Sequence, residues 1–382
     1  MNFLFWFALG GIIYTYFGYP LLIIFYSKFR PFRVGKKEDM VYPKVSVVIA
    51  ARNEEKNMER RLRNLFEQNY PAHLEIIVVS DGSRDATETL VAQYKNQLYQ
   101  QGPNDRCSLQ LVSYEKPKGK PFALSSGIAV ASGEIVVFTD CRQRFANDAI
   151  TRLVHNFSDD GVGCVSGELI FEETPGSAIQ SEMGTYWNFE KWLRKLESKT
   201  GFVPGATGAI YAIRKKLFQP IPIQTLLDDV LIPLNIAMQG YHVLFDSSAV
   251  AYDVVSKDFS QEKKRKIRTL AGNWQLLALE PALFNPLKNP LWVQFVSHKI
   301  CRLLVPYLAL ILLFSASLLR NEPAVIVLIL FGIFILMAAL PEMKHPLSIF
   351  NPFMRICKTL LVLNYFAFLA PLRLLFAHER LW

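Results

Sequence analysis

The sequence predicts an α/β fold, in which a mostly parallel sheet has helices on both faces, together with α-helical transmembrane segments. Three observations lead to this prediction. Apolar strand-like runs alternate with helical patterns between residues 45 and 139, polar clusters follow those runs, and long uncharged stretches lie toward both ends of the 382-residue chain. Apolar strands that alternate with helices are typical of parallel sheets buried on both faces.

Four strands and three intervening helices are predicted in the first half of the chain. The strands are 45–50 (VSVVIA), 75–80 (EIIVVS), 109–113 and 134–139 (EIVVFT), and the helices are 56–68, 85–94 and 121–131. Farther along, an aromatic-rich helix is predicted over 178–199, and a glycine-rich stretch follows at 201–212. Residues 260–277 and 290–299 mix basic and apolar side chains, as amphipathic helices on a membrane surface do.

Three uncharged runs are long enough to be membrane spans. They are 3–26, 303–319 and 323–341, and the shorter run 359–372 is either a fourth span or a re-entrant segment. At about 1.5 Å per residue, the first run crosses a hydrocarbon core of about 30 Å. It lacks the basic start and small-residue cleavage pattern of a signal peptide, so we expect a retained anchor.

Basic residues predict the orientation in the membrane. Those that follow the first run are Lys28, Arg30, Arg33, Lys36 and Lys37, and those before the last run are Lys344, Arg355 and Lys358. The positive-inside rule then places the N-terminus outside and residues 28–300 in the cytoplasm of a cell with the protein in its inner membrane. The predicted organisation is a span (1–27), a basic linker (28–43), a catalytic domain (44–255), interfacial helices (256–300) and two or three spans (301–382).

The net charge of +9 does not indicate a nucleic-acid-binding protein. The basic residues cluster beside membrane segments, where anionic lipid attracts them, and no nucleic-acid-binding motif is found. The five cysteines are odd in number and scattered, which argues against a disulfide framework or a cysteine metal cluster. Membrane lipid is therefore the expected partner, and reduced thiols are the expected state.

Polar clusters at the strand ends predict a ligand site. Residues 52–55, 81–83 and 140–143 follow the first, second and fourth strands, and ligands bind at the carboxyl ends of parallel strands. Asp81 is either an acceptor for a base or ribose or a helix cap, since both roles suit an aspartate in a glycine turn. The basic loop 116–120 (KPKGK) can hold a diphosphate, although alone it is more typical of a solvated loop.

Two further acidic positions have chemical interpretations. Asp140 is either a ligand for Mg²⁺ or Mn²⁺ or a helix cap. Asp228 and Asp229 lie between apolar residues in LLDDVLI, which suits a general base, with a cap for a helix at 230–238 as the alternative.

Together these segments resemble the membrane-integrated, inverting family 2 glycosyltransferases of GT-A fold, a branch that includes poly-N-acetylglucosamine, hyaluronan and cellulose synthases. The segments that carry the resemblance are VSVVIAARNEE, VVSDGSRDAT, KPKGKPFAL, FTDCRQRF, VPGATGAIYAIRKKLF, LLDDVLI and RKIRTLAGNWQLL. The resemblance covers residues 45–277 and the flanking spans.

The resemblance implies a role for each matching residue. Asp229 would be the catalytic base, and the donor site would contain Ala51, Arg52, Glu54, Asp81, Lys120, Asp140, Arg142 and Arg268. Asp140 would hold Mg²⁺ or Mn²⁺. Asp228 and the tryptophans Trp187, Trp192 and Trp274 would contact the acceptor.

Two positions depart from the family pattern. Arg142 stands where the second acid of the metal motif should be, and it can pair with phosphate instead. Thr269 stands where processive synthases carry a tryptophan, so polymer synthesis and single addition both stay open. The implied function is transfer of a sugar from a nucleotide-diphosphate donor, expected to be a UDP-sugar, to a glycan or lipid-linked acceptor. A single-addition lipid glycosyltransferase is the alternative, and an inactive scaffold or nucleotide sensor a more remote one.

Overall fold

The structure, a computed structural model, describes residues 1–35, 40–100, 106–172, 178–254, 259–319, 321–341 and 347–376. The predicted basic residues Lys36, Lys37 and Lys344 lie outside these ranges, as do 256–258 of the interfacial segment and 377–382 of the last predicted domain.

An eight-stranded sheet forms the centre of the molecule. Its strands are β1 (Val45–Ala51), β2 (Leu74–Asp81), β3 (Cys107–Tyr114), β4 (Ile135–Thr139), β5 (Arg144–Phe145), β6 (Val162–Glu172), β7 (Tyr211–Arg214) and β8 (His242–Val254). Their order is β3-β2-β1-β4-β7-β6-β8-β5. Strands β7 and β5 run antiparallel to their neighbours and the other pairs are parallel, which confirms the mostly parallel α/β fold.

Helices flank the sheet and extend away from it. They are α1 (Asn2–Phe29), α2 (Glu55–Phe66), α3 (Thr87–Gln100), α4 (Lys120–Val130), α5 (Ala149–His155), α6 (Ala178–Ser198), α7 (Asp228–Met238), α8 (Phe259–Leu279), α9 (Trp292–Leu319), α10 (Glu322–Ala339) and α11 (Asn351–Phe376). The four predicted strands and the helices between them occur close to their predicted bounds, except that α3 continues past its predicted end at 94 to Gln100. Strands β5 to β8 were not predicted.

The buried faces of the sheet explain why β1, β2 and β4 are apolar along most of their length. On one side, Val47, Ile49 and Val78 pack against Met58 and Leu62 of α2. On the other side, Val48 and Val79 pack with Ala123 and Leu124 of α4. Because β1, β2 and β4 are parallel, their carboxyl ends meet at one edge of the sheet.

Four of the described helices are long and apolar enough to cross a membrane: α1, α9, α10 and residues Asn351–Leu372 of α11. Near the N-terminus, Phe5 and Ala8 of α1 pack against Leu312 and Ala316 of α9. The fourth segment is therefore longer than its 14-residue uncharged run, since the helix begins before Arg355 and Lys358.

The segment 290–299 differs from its prediction as a separate amphipathic helix. It forms the first turns of α9, continuous with the predicted span at 303–319. The prediction separated this segment from the span because it contains the basic residues His298 and Lys299 and is followed by Arg302. Charged residues are costly inside a membrane unless the protein supplies partners. Here α6 supplies carboxylates to His298 and Arg302.

Candidate active site

Asp81 ends β2 and organises the basic loop that precedes α4. Its two carboxylate oxygens accept hydrogen bonds from the backbone amides of Lys118, at 2.7 Å, and Gly119, at 2.9 Å. Gly82 follows with a φ of 65°, and a Cβ there would lie 2.7 Å from the backbone nitrogen of Pro117. The close approach requires glycine. Asp81 therefore fixes the loop, and a contact with a base is still a prediction.

Lys120 connects acids from two parts of the sequence. It lies at the start of α4, and its Nζ is 3.0 Å from Oδ1 of Asp140 and 3.5 Å from Oδ2 of Asp228. Asp140 follows β4 and has a side chain that is 41% exposed, whereas that of Asp228 is 8% exposed. The cluster thus has one open carboxylate and one enclosed carboxylate around a single ammonium group.

This pairing sets the charges of the cluster. Burial acts to lower the pKa of Lys120, but Asp140, Asp228 and Asp229 raise it above its ordinary value. Burial also acts to raise the pKa of Asp140, and Lys120 nonetheless holds it below its ordinary value. We therefore expect an ammonium group and an ionised Asp140 at neutral pH.

Asp229, the second residue of α7, has a raised pKa. Burial, together with the charge of Asp228, raises its pKa to about 6, against the opposing charges of Lys120, Lys299 and Arg268. Its Oδ2 accepts a hydrogen bond from the amide of Gly208 at 3.2 Å. A Cβ at position 208 would lie 2.9 Å from that oxygen, so a side chain would crowd the carboxylate. A carboxylate with this pKa can accept a proton near neutral pH.

Arg142 does not stand free at the edge of the sheet. Its guanidinium donates to Oδ2 of Asp253 at the end of β8, with Nη2 at 2.6 Å and Nε at 3.1 Å. Gln143 donates to the same oxygen at 3.0 Å. Its charge still acts on Asp140. The arginine that replaces the second acid of the metal motif is therefore held in place by an acid from a distant strand.

Arg268 lies on α8, which packs against α11, a helix long and apolar enough to cross a membrane. Its charge acts on both Asp140 and Asp229. Its Nε is buried and has no hydrogen-bond partner among the described residues. The prediction that an arginine from this helix contacts the donor stays open, and the structure brings it to the correct group of acids.

The predicted donor residues Ala51, Arg52 and Glu54 lie at the carboxyl end of β1, beside the polar cluster at the end of β2. Ala51 is fully buried and pairs with Ser80 across β1 and β2. The Glu54 carboxylate accepts a hydrogen bond from Asn57 at 2.8 Å, and the Glu54 backbone amide donates to Oγ1 of Thr87 at 2.8 Å. Arg52 has an exposed side chain at the same edge. Donor contacts of these three residues remain predictions.

The three tryptophans predicted to contact an acceptor pack against different partners, and their acceptor contacts remain predictions. Trp187 on α6 packs edge-on against Phe171, with Nζ of Lys266 5.3 Å from its ring centre. Trp192, one helical turn farther, stacks near Phe189 and is 40% exposed. Trp274 on α8 instead packs near Tyr307 of α9, and its buried Nε1 has no partner among the described residues.

Sequence analysis missed three residues that support this site. Asp253 holds Arg142, and Arg194 of α6 holds the glycine-rich stretch. Arg61 is fully buried and donates to Oγ1 of Thr139 at 2.7 Å and to the carbonyl of Gln143 at 3.0 Å, fixing the turn after β4. The sequence offered one signal for Arg61. It occupies a position among the apolar residues of α2, where an arginine is unusual.

Asp140 offers one partly exposed carboxylate to a cation. No group of three or more His, Cys, Asp or Glu side chains that could hold a metal occurs among the described residues. Asp140 is the accessible hard oxygen donor, and Mg²⁺ commonly binds one or two carboxylates together with substrate phosphates. Asp140 therefore fits a cation shared with a bound diphosphate.

The sheet is of GT-A type and has acidic and basic side chains at its edge, and four of the described helices are long and apolar enough to cross a membrane. These features define a membrane glycosyltransferase of GT-A fold. The Glycosyl transferase family 2 model matches residues 46–221, and the Glycosyl transferase family group 2 model matches residues 135–370, more than half of the chain. The chain therefore belongs to glycosyltransferase family 2.

Similar proteins agree with this assignment. Probable glycosyltransferase YdaM of Bacillus subtilis (strain 168) is 26% identical over 263 residues, which are 65% of this chain and 59% of YdaM. The poly-beta-1,6-N-acetyl-D-glucosamine synthase of Staphylococcus aureus (strain COL) is 22% identical over 322 residues, 82% of this chain and 74% of that enzyme. The match thus spans less than two thirds of YdaM.

A solved structure shares the fold along nearly the whole chain. Mannosyltransferase PcManGT from Pyrobaculum calidifontis, in complex with GDP-Man and Mn²⁺, has a TM-score of 0.74 and 24% identity. The alignment covers 98% of this chain and 100% of that chain. The two chains therefore share their overall fold.

Proposed function

We propose that this enzyme transfers a sugar, with inversion, from a nucleotide-diphosphate sugar to a glycan or lipid-linked acceptor at the cytoplasmic face of the membrane. The observation that carries the proposal is Asp229, a carboxylate with a pKa of about 6 that lies next to the Lys120–Asp140 pair. A base and a charge-compensating group are the two functions that such a transfer requires.

The proposed reaction is a single in-line displacement. Asp229 takes the proton from an acceptor hydroxyl, and the hydroxyl oxygen forms a bond to the anomeric carbon. The bond from that carbon to the diphosphate oxygen breaks at the same time, and the nucleoside diphosphate leaves with the electron pair. An α-linked donor gives a β-linked product. Lys120, Arg142 and Arg268 stabilise the negative charge on the departing diphosphate.

A divalent cation completes the donor site in this proposal. Asp140 would hold Mg²⁺ or Mn²⁺, and the cation would neutralise charge on the leaving diphosphate. Lys120 and Arg142 lie close to Asp140 and contribute positive charge from the chain itself. Partial dependence on the added cation is therefore expected rather than a complete loss without it.

The acceptor is proposed to approach from the membrane side. Helix α8 packs against α11, and the charge of its Arg268 acts on Asp229. The second candidate, addition of one sugar to a lipid-linked acceptor, is favoured by Thr269, since it offers no aromatic face to a growing polymer. An inactive scaffold is disfavoured by the intact grouping of Lys120, Asp140 and Asp229.

A donor screen tests the proposed activity. The full chain, purified in detergent, is incubated with UDP-sugars and with GDP-mannose, with Mn²⁺, with Mg²⁺ or with a chelator, and nucleoside diphosphate release is measured. We expect one donor to be used and the rate to fall when the cation is removed. Product sizing separates a polymer ladder from a single addition. Absence of turnover with every donor and membrane-extract acceptor would contradict the proposal.

The cytoplasmic orientation has its own test. A reporter enzyme that is active only outside the cytoplasm is fused after Leu319, at the end of α9, or after Leu340, just beyond α10. The proposed topology predicts activity for the first fusion and inactivity for the second, because the sheet and the start of α9 then lie inside. The opposite pattern would place residues 44–255 outside the cell and remove the proposed access to cytoplasmic sugar nucleotides.

A further inference from the structure

A polar cluster joins two membrane spans to α6, outside the donor site. This interface cluster consists of Tyr19 on α1, Glu190 and Glu197 on α6, and His298 and Arg302 on α9. His298 lies between the two acids, with Nδ1 2.6 Å from Oε1 of Glu197 and Nε2 3.0 Å from Oε2 of Glu190. The hydroxyl of Tyr19 donates to Glu197 at 2.5 Å, and Arg302 donates to Glu190.

The interface cluster fixes the position of α6 against the membrane helices. Glu197 is fully buried and the side chain of His298 is 4% exposed, so water does not compete for these contacts. Separating a buried, charged hydrogen-bonded group from its partner is costly, which makes such a junction resistant to sliding. Helix α6 is consequently held to the two spans through Glu190 and Glu197, which lie about two turns apart on the helix.

Arg194 lies between these two points on α6 and contacts the soluble side. Its guanidinium donates to Oγ1 of Thr207 at 2.7 Å, to Oγ of Ser166 at 2.9 Å and to the carbonyl of Gly205 at 3.3 Å. The guanidinium carbon also lies 4.6 Å from the ring centre of Phe245. One side chain therefore holds both the glycine-rich stretch and β6.

The glycine-rich stretch connects Arg194 to Asp229. Gly208, next to Thr207, donates its amide to Oδ2 of Asp229, and Ala206 donates its amide to the carbonyl of Asp229. The backbone on both sides of Thr207 thus contacts Asp229. A displacement of Thr207 would move the hydrogen-bond donors that orient the base.

We propose that Arg194 is a positioning residue for Asp229, and that the interface cluster couples the membrane spans to the base through it. The proposal rests on the assignment of Asp229 as the base. Arg194 touches neither donor nor acceptor in this scheme. Its effect on the reaction is exerted through Thr207, Gly205 and the amide of Gly208, so it should change turnover and leave donor binding intact.

The test compares Arg194→Gln, Arg194→Lys and Glu190→Gln with Asn188→Ala, a control at an exposed position of the same helix. The full chain in detergent is assayed with UDP-N-acetylglucosamine, or with GDP-mannose if the screen selects it, and donor Kd and thermal unfolding are measured alongside. We expect Arg194→Gln to lower kcat by roughly a hundredfold, since small misplacements of catalytic groups have effects of that size. Donor Kd and the control are expected to stay unchanged.

The lysine variant separates shape from charge. Lysine keeps the positive charge but cannot contact three acceptors through one planar fork. Arg194→Lys should therefore lower kcat, while the acidic limb of the pH dependence of kcat stays at the same pH. Arg194→Gln should also move that limb to higher pH, because it removes a positive charge that acts on Asp229. Glu190→Gln should lower kcat in the same direction by a smaller factor.

A milder variant keeps the proposal testable if Arg194 variants fold poorly. Thr207→Val removes one acceptor of the guanidinium and leaves Arg194 in place, so it should lower kcat while donor Kd stays unchanged. Unchanged kcat in Arg194→Gln or in Thr207→Val, or donor affinity that falls in proportion to kcat, would overturn the inference. Full activity of Asp229→Asn would instead overturn the proposed function.

Discussion

Asp229→Asn is expected to lower sugar transfer by about 10²–10⁴-fold, the usual contribution of a general base. The amide of asparagine keeps the size of the side chain and its contact region with Gly208, but it cannot accept the acceptor proton. Donor affinity should stay close to that of the unmodified enzyme, because Lys120 and Asp140 remain. The measurements are kcat from nucleoside diphosphate release and donor Kd by titration calorimetry.

Two matched variants control this result. Asp228→Asn removes a neighbouring negative charge, and since that charge raises the pKa of Asp229, the acidic limb of kcat should move from about pH 6 to lower pH. Asp160→Asn changes an aspartate with an 84% exposed side chain and should alter neither kcat nor its pH dependence. Retention of full turnover by Asp229→Asn, with loss in Asp228→Asn, would transfer the role of base to Asp228.

The pH dependence of the unmodified enzyme follows from the same carboxylate. Asp229 acts as a base only when it is deprotonated, so activity should be complete above its pKa of about 6 and decline as the pH falls through that value. Asp140 has a lowered pKa and stays ionised across this range. A single acidic limb near pH 6 is therefore expected.

The sequence predicted the half of the sheet that local patterns describe. Strands β1, β2 and β4 are largely apolar and buried on both faces, and each ends at its polar cluster. Strands β6 and β8 were missed because polar residues and glycines interrupt them, as in VGCVSGELIFE and HVLFDSSAVAYDV. Their hydrogen-bond partners come from distant segments, and those tertiary contacts outweigh the local preference.

The same distinction applies to the site. Lys120, Asp140, Asp228 and Asp229 were predicted from motifs, and the structure brings them together. The partnership of Arg142 with Asp253 joins residues 111 positions apart, and no spacing rule encodes it. The sequence also did not predict that α9 begins before His298 and Arg302, because basic residues are unusual in a membrane span. Only the structure shows that an acid of α6 pairs with both residues.

The second large effect is expected for Lys120→Met, which should lower kcat/KM by about 10²–10³-fold. Removing one preorganised group that stabilises developing charge has an effect of this size. Methionine keeps much of the length of the side chain and removes its ammonium group. Asp140 and Asp228 then lose the cation that lies 3.0 Å and 3.5 Å from their oxygens, so both donor affinity and turnover should fall.

The pH profile distinguishes this role from a general loss of structure. Lys120 lowers the pKa of Asp229, so its removal should move the acidic limb of the remaining activity to higher pH. Lys120→Arg keeps the charge and should leave the limb near pH 6, even where the bulkier group reduces kcat. Lys215→Met is the matched control, because that lysine contacts the carbonyl of Ala131 rather than any acid of the site. A limb that stays in place in Lys120→Met would show that the ammonium group does not act on the base, and the electrostatic link between donor site and base would then have to be abandoned.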